Sequence, residues 1–179
     1  KHLFPNNAYG FESGGTPEAI PTLSREDFLN FHRKFYHPEN SYIFLYGNAE
    51  LEKELEFIDS AYLSAFEKTG HAITIEDQEP FARMKEVTAR YPVLDESDTD
   101  NQTFLTYNFV AGHNTDLALT LALDILCEVL VNQESAPIRL ALLEAGIGQD
   151  VSASSSNFKQ HAVQIAAINA NAADSQRFL

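Results

Sequence analysis

Cysteine is almost missing from this 179-residue sequence: Cys127 stands alone, so no intramolecular disulfide can form and nothing calls for an oxidising compartment. It sits in the apolar run Leu123–Leu130, where an inert buried thiol is the natural reading. The one methionine is Met84, which leaves no initiator and raises the expectation of a chain that starts inside a longer coding sequence or has been processed. No stretch approaches the roughly 18 uncharged apolar residues of a membrane span. Lys1–Asn7 lack the apolar core of a signal peptide. Positive charge is scarce, with 12 Lys and Arg against 26 Asp and Glu and a net charge of −14. Such a balance repels nucleic acid and anionic membrane surfaces, and solubility is its simplest use, with a basic peptide left open as a partner. The remainder, 44% hydrophobic and 21% charged, is an ordinary globular composition that excludes a disordered tail, a fibre and a membrane-spanning chain.

Turn and breaker residues crowd the start: Pro5, Asn6, Asn7, Gly10, Gly14, Gly15, Pro17 and Pro21 predict an irregular, wall-like segment. Ser24 with Glu26-Asp27 opens a helix whose Phe28, Phe31 and Phe35 share one face, and Pro38 ends it near Tyr36-His37. Ser41–Tyr46 reads as a buried strand stopped by Gly47-Asn48. A second helix is expected from about Glu50 to Glu67, with Leu51, Leu55, Ile58, Tyr62 and Phe66 on one face. Thr69–Pro80 breaks the periodicity and marks a boundary. Arg83–Tyr91 and Gln102–Val110 alternate as strands. Between them Asp95–Asp100 is an acidic loop without the Gly and closing Glu of a calcium-binding loop, hence a solvated turn. Thr115 is expected to cap a helix over Leu117–Val131 that is apolar nearly all round and therefore buried on most sides. Pro137 opens the next helix and Gly146 stops it. Val151–Ser156 reads as a polar, serine-rich strand or loop, His161–Ala170 follows as an alternating strand, and a last helix starts at Ala173-Asp174-Ser175. The order lacks strict βαβ alternation, so the expected fold class is α+β with a mostly antiparallel sheet. Because the chain begins in a loop and ends in a helix, a cut piece is expected.

No motif for chemistry emerges. The six histidines, His2, His32, His37, His71, His113 and His161, include no pair three or four apart, so no helix presents two imidazoles on one face. His32 and His37 read as surface groups or helix-end caps. There is no G-x-S-x-G, no phosphate-binding glycine loop, and the serines at 152 and 154–156 have no base nearby. Catalytic and metal-binding residues are both expected to be absent.

Two segments carry a resemblance. Phe4–Leu23, with Phe4-Pro5-Asn6-Asn7-Ala8-Tyr9-Gly10 and Ser13-Gly14-Gly15-Thr16-Pro17, leads into Phe28-x-x-Phe31-His32-x-x-Phe35-Tyr36-His37-Pro38-x-Asn40 and then Ile43–Asn48. Ser135–Ser152 contains Ala136-Pro137-Ile138-Arg139 and Ala141-Leu142-Leu143-Glu144-Ala145-Gly146-Ile147-Gly148. Both resemble the pitrilysin/insulinase family of zinc metallopeptidases, in its presequence-protease branch. The resemblance implies a clamshell enzyme of four homologous α+β domains around a peptide-degrading chamber. It implies zinc held by an H-x-x-E-H motif plus a distal Glu, and these residues would lie upstream of Lys1. Residues 1–80 would then end the first, catalytic domain, and 81–179 would begin the second, non-catalytic one.

The resemblance further implies a substrate-gripping exosite, at Gln133, Glu134, Ser135 and Ala136 with Val151, Ser152 and Ala153, where an edge strand takes up a peptide by β-augmentation. An ordinary helix connection and edge strand is the competing reading. Implied partners are short unstructured peptides, basic ones suiting an acidic chamber, and the remaining domains of the polypeptide. The implied location is a bacterial cytoplasm or a mitochondrial or plastid matrix. Two other readings stay open: a non-catalytic paralogue serving as partner subunit, and a stand-alone acidic interaction domain. A fragment with uncovered sheet edges is also expected to self-associate.

Overall fold

The computed structural model describes residues 1–70, 73–93 and 100–179. His71 and, apart from Asp100, the acidic Asp95–Asp100 run lie outside them. The architecture is α+β, in two compact units: Lys1–Gly10 with Glu76–Leu179, and Phe11–Ile75.

The first unit is organised by an antiparallel sheet of three strands among the described residues, β1 (Thr103–His113), β2 (Asp150–Asn157) and β3 (Gln160–Ala170), in the order β1-β3-β2. Alternating small and β-branched residues let β3 pair on both sides: Ala166 lies between Thr106 and Ser152, and Val163 between Phe109 and Ser155. Helix α3 (Leu117–Cys127) covers part of one face, where Leu123 and Cys127 pack on Val163 with Leu119, Ala111 and Ala153 at the margin. A second cluster joins Leu105, Ile147, Ala167 and Ala170, with Leu142 of α4 (Pro137–Glu144) and Phe178 of α5 (Ser175–Phe178) against it.

Local chemistry sets these elements. Asp116, not the expected Thr115, caps α3: its carboxylate accepts the Leu119 amide at 3.0 Å. Proline opens α4, as the sequence predicts. Gly146, at φ 72°, closes it with the Gly146 amide on the Leu143 carbonyl at 3.0 Å and the Ile147 amide on the Leu142 carbonyl at 2.9 Å. This is a Schellman cap, and its hydrophobic partner Ile147 is 2% exposed in the core.

One expectation for α3 is overturned. The helix ends at Cys127 and continues as a π-helical turn, Glu128–Asn132, and only one face is buried, through Leu123, Cys127 and Val131. Leu117, at 79% exposed, Leu121, Ile125 and Val129 form an apolar ridge that nothing among the described residues of this unit covers.

The opening segment, read as irregular, has a definite job. Phe4 is buried, with its ring edge-on to Tyr9 and to Phe158 at the β2–β3 turn, at centroid distances of 5.4 and 5.6 Å. The Tyr9 hydroxyl accepts the Lys159 amide at 3.1 Å. The Gln78 amide donates to Gln160 Oε1 at 2.7 Å, and Gln78 Oε1 accepts the Asn6 amide at 3.2 Å. Residues from both ends of a long sequence interval thus clasp one hairpin turn.

In the second unit, helix α1 (Arg25–Phe35) begins with a full capping box between Ser24 and Asp27. Helix α2 spans Leu51–Ala61 and gives way to a tight turn at Leu63–Ala65, short of the expected Glu67. Ser41–Tyr46 forms no strand, and Arg83–Tyr91 in the first unit likewise forms none. The cause is physical: a strand exists only where a neighbouring chain completes its hydrogen-bond ladder, and neither segment has such a neighbour among the described residues of its unit. The expected burial fails with it. No described residue of Phe11–Ile75 is buried, and Phe28, Phe31, Tyr42 and Phe44 all face outward.

The Tyr36–Asn40 turn is the best-tied part of this unit. His37 Nδ1 accepts the Glu39 amide at 3.2 Å, so His37 caps the start of the Pro38–Asn40 turn rather than the dipole at the end of α1, and the His32 ring stacks on Tyr36 at 4.7 Å. The Glu39 carboxylate accepts the Thr69 amide at 3.0 Å, the Gly70 amide at 3.1 Å and the Thr69 hydroxyl, while Asn40 Oδ1 accepts the Ile73 amide at 3.3 Å. Hydrogen bonds from the Thr69 hydroxyl and then the Gly70 amide stabilise the anion and lower the Glu39 pKa from 4.5 to about 2. A pKa lowered by folding stabilises the folded form above the unfolded value, and that contribution fades as pH falls from 4.5 towards 2. The Gly70 amide NMR shift is expected to titrate with a midpoint near pH 2 and to lose that transition in Glu39→Gln; a midpoint near the ordinary 4.5 contradicts the clasp.

Candidate functional site

Among the described residues strand β2 pairs with β3 on one side only, so its other side is an open edge. Alternation along the strand decides which groups face that edge. Ser152 and Ser154 turn their backbone groups to β3, while Val151, Ala153 and Ser155 turn theirs outward.

The edge is occupied at one end and open at the other. The Val151 carbonyl accepts Arg139 Nη1 at 2.6 Å, and Arg139 Nη2 lies 2.6 Å from Asp150 Oδ1. Asp150 also accepts the Val151 amide at 2.8 Å. That backbone hydrogen bond, followed by the one from Arg139, holds the Asp150 carboxyl below the usual carboxylate range. At Ala153 both outward groups meet the Asn132 side chain: the Ala153 amide donates to Oδ1 at 2.8 Å, and Nδ2 donates to the Ala153 carbonyl at 3.1 Å. Nδ2 also donates to Glu128 Oε1 at 2.8 Å. Beyond Ala153 the edge opens into a groove of about 540 Å³ between β2 and the end of α3. Ser155 lines it, and its hydroxyl is buried without a hydrogen-bond partner.

The π-helical turn explains how Asn132 reaches the strand. Widening the helix by one residue per turn puts the Gln133 amide on the Glu128 carbonyl at 3.2 Å and presents Asn132 to β2. Glu128 and Asn132, four apart, share the same side and fix the amide from behind.

Of the residues singled out from sequence, Gln133 and Ala153 line the same groove. Ala136 is buried as the residue preceding α4, its amide on the Gln133 carbonyl at 3.0 Å, while Glu134 and Ser135 are exposed on the connecting turn. Val151 is 1% exposed and serves the core, and Ser152 belongs to the β3 ladder. Sequence reasoning missed Asn132, Arg139, Glu128 and Ser155. The available signal was a lone Asn closing an apolar helical run four residues after a Glu.

Cys127 is a buried free thiol beneath the groove, and burial first, then the Asp124 and Glu128 charges, push its pKa up, away from a nucleophile. His161, not foreseen as a core residue, is fully buried: its Nε2 lies 3.0 Å from Thr120 Oγ1 and its Nδ1 has no partner. Among the described residues no group of three or more His, Cys, Asp or Glu side chains is placed to hold a metal ion, and no helix is long and apolar enough to cross a membrane.

Comparison with known proteins supplies the context. Residues 22–178 match the peptidase M16 inactive domain. Protein HypA of Clostridium perfringens is 41% identical over 177 residues, covering 98% of this chain and 18% of that protein. Presequence protease 1, chloroplastic/mitochondrial, of Arabidopsis thaliana is 34% identical over 150 residues, 82% of this chain and 14% of that protein. The mitochondrial presequence protease of Danio rerio is 35% identical over 154 residues, 85% of this chain and 15% of that protein. The chain therefore spans less than a fifth of the length of these curated relatives. The motif-borne resemblance to pitrilysin/insulinase peptidases and the run of similarity from residue 22 to residue 178 lead to one assignment: this chain belongs to the peptidase M16 family and carries its inactive domain.

Proposed function

We propose that this chain is a non-catalytic segment of a zinc metalloendopeptidase that degrades short unstructured peptides in a closed chamber, and that it contributes chamber wall and a peptide grip along β2. The observation that carries the grip is the free outward edge of β2 at Ser155, opening into a groove beside it. An extended peptide satisfies its own backbone groups there by adding a strand, and such pairing tolerates varied side chains, as a degradative enzyme needs. Catalysis belongs to the rest of the enzyme, where the zinc ligands lie upstream of Lys1. The exosite residues Gln133–Ala136 and Val151–Ala153 act in this reading as the frame of the grip. Arg139 holds the strand at Val151, and the Ala136 turn holds the helix end opposite it.

Residues 1–80 are assigned to the end of the first domain and 81–179 to the start of the second. The division of compact units at Ile75–Glu76 supports a boundary in this region, while the Phe4–Tyr9 clasp on the β2–β3 turn ties the opening residues to the later part. Other domains of the same polypeptide cover Leu117 and Leu121 of the α3 ridge and the exposed faces of α1 and α2, leaving Ile125 and Val129 to the groove. The groove bears acidic side chains, Asp124 and Glu128, which suits basic peptides. The names of the relatives support a mitochondrial or plastid location for a eukaryotic parent, within which we assign it to the matrix, and we assign a bacterial parent to the cytoplasm.

Two measurements test this. In the full-length peptidase, Ser155→Pro removes an outward N–H without touching the β3 ladder, so it is expected to raise KM for an extended peptide by about 3- to 10-fold, the loss of one hydrogen bond, with kcat unchanged. An unchanged KM removes β2 from the substrate path. For the isolated chain, sedimentation velocity is expected to show species heavier than the monomer as concentration rises. A clean monomer throughout contradicts the claim that its apolar faces need a cover.

A further inference from the structure

The Asn132 side chain sits on β2 as a peptide group would. Its Oδ1 and Nδ2 pair with the Ala153 amide and carbonyl at 2.8 and 3.1 Å, the reciprocal pair that a residue of a neighbouring antiparallel strand makes. We propose that Asn132 is a displaceable stand-in for substrate backbone, which an incoming extended peptide must swing aside to extend its pairing from Ser155 to Ala153. The proposal rests on the reading of β2 as the peptide grip and names the residue that sets its strength.

Three features favour displacement over a permanent guard. The amide covers Ala153 alone, while the neighbouring outward position, Ser155, stays open in the groove, so a peptide has a place to start. Glu128 holds Nδ2 at 2.8 Å from the helix side, so an amide that lets go of the strand keeps a strong partner and its release costs little. The π-helical turn that carries Asn132 is one residue wider than an α-turn, and relaxing it withdraws the side chain from the strand without unfolding α3. The groove is also fitted to its occupant. Ile125, Cys127 and Val129 give it an apolar lining, Asp124 and Glu128 give it negative charge, and no basic side chain among the described residues lines it. An extended peptide carrying apolar and basic side chains matches that lining. Asn132 is thus a positioning residue: it keeps the empty edge satisfied, protects it from wrong strands, and levies the same hydrogen bonds from each peptide that docks.

The test uses the full-length peptidase with an unstructured fluorogenic peptide, measuring KM and kcat separately. Asn132→Ala frees the Ala153 groups and is expected to lower KM by about 5-fold with kcat unchanged, while Asn132→Gln, which retains a carboxamide, returns KM towards the parent value. Asn132→Ser, too short to reach Ala153, is expected to act like the alanine variant and serves where that variant folds poorly. If Asn132→Ala and Asn132→Ser leave KM unchanged or raise it while Ser155→Pro still raises it, β2 grips peptide but Asn132 is a fixed structural brace, and this inference is overturned. If Ser155→Pro leaves KM unchanged, the peptide grip itself is overturned and this inference goes with it.

Discussion

Two-sided pairing of β3 is the constraint on which the first unit depends. From His161 to Ala167 each residue of β3 has a partner on β1 and on β2, and the same strand supplies Val163 and Ala167 to the two hydrophobic clusters. Once β3 takes the centre, β2 becomes an edge. Helix α3 then packs across β3 and delivers the π-helical turn to the flank of β2. The groove, the capped Ala153 and the open Ser155 are consequences of that order rather than separate inventions.

An open strand edge is a hazard, because unpaired amides and carbonyls invite any other strand. This edge is managed unevenly. Arg139 and Asn132 satisfy the end near α4 with side chains, and the end near the hairpin turn is left accessible. In the proposed peptide grip the unevenness has a use: partial protection suits a surface that takes up extended chains for a time and then gives them up.

What the sequence made legible was what local chemistry decides. The Ser24–Asp27 box, the proline at the start of α4, the glycine stop at Gly146 and the alternation of β3 all depend on residues a few positions apart, and all are present. Elements that depend on a remote partner were misread. Ser41–Tyr46 and Arg83–Tyr91 have strand-like composition and no ladder to join, and the apolar ridge of α3 has no cover among the described residues of its unit. The family was legible because its motifs are contiguous. The edge character of β2 followed from the resemblance, whereas Asn132 was invisible: its role needs a π-helical turn and a strand 21 residues later in the chain to meet it, and neither leaves a mark in residue pattern.

The central claim is that peptide joins the outer edge of β2. Amide hydrogen exchange in the full-length peptidase, made catalytically inactive and measured with and without bound peptide, tests it most directly. The account predicts that the Ala153 amide is protected in both states, first by Asn132 and then by peptide, and that the Ser155 amide becomes protected only when peptide is bound. A Ser155 amide that exchanges equally fast in both states, with new protection confined to other parts of the chain, would contradict it.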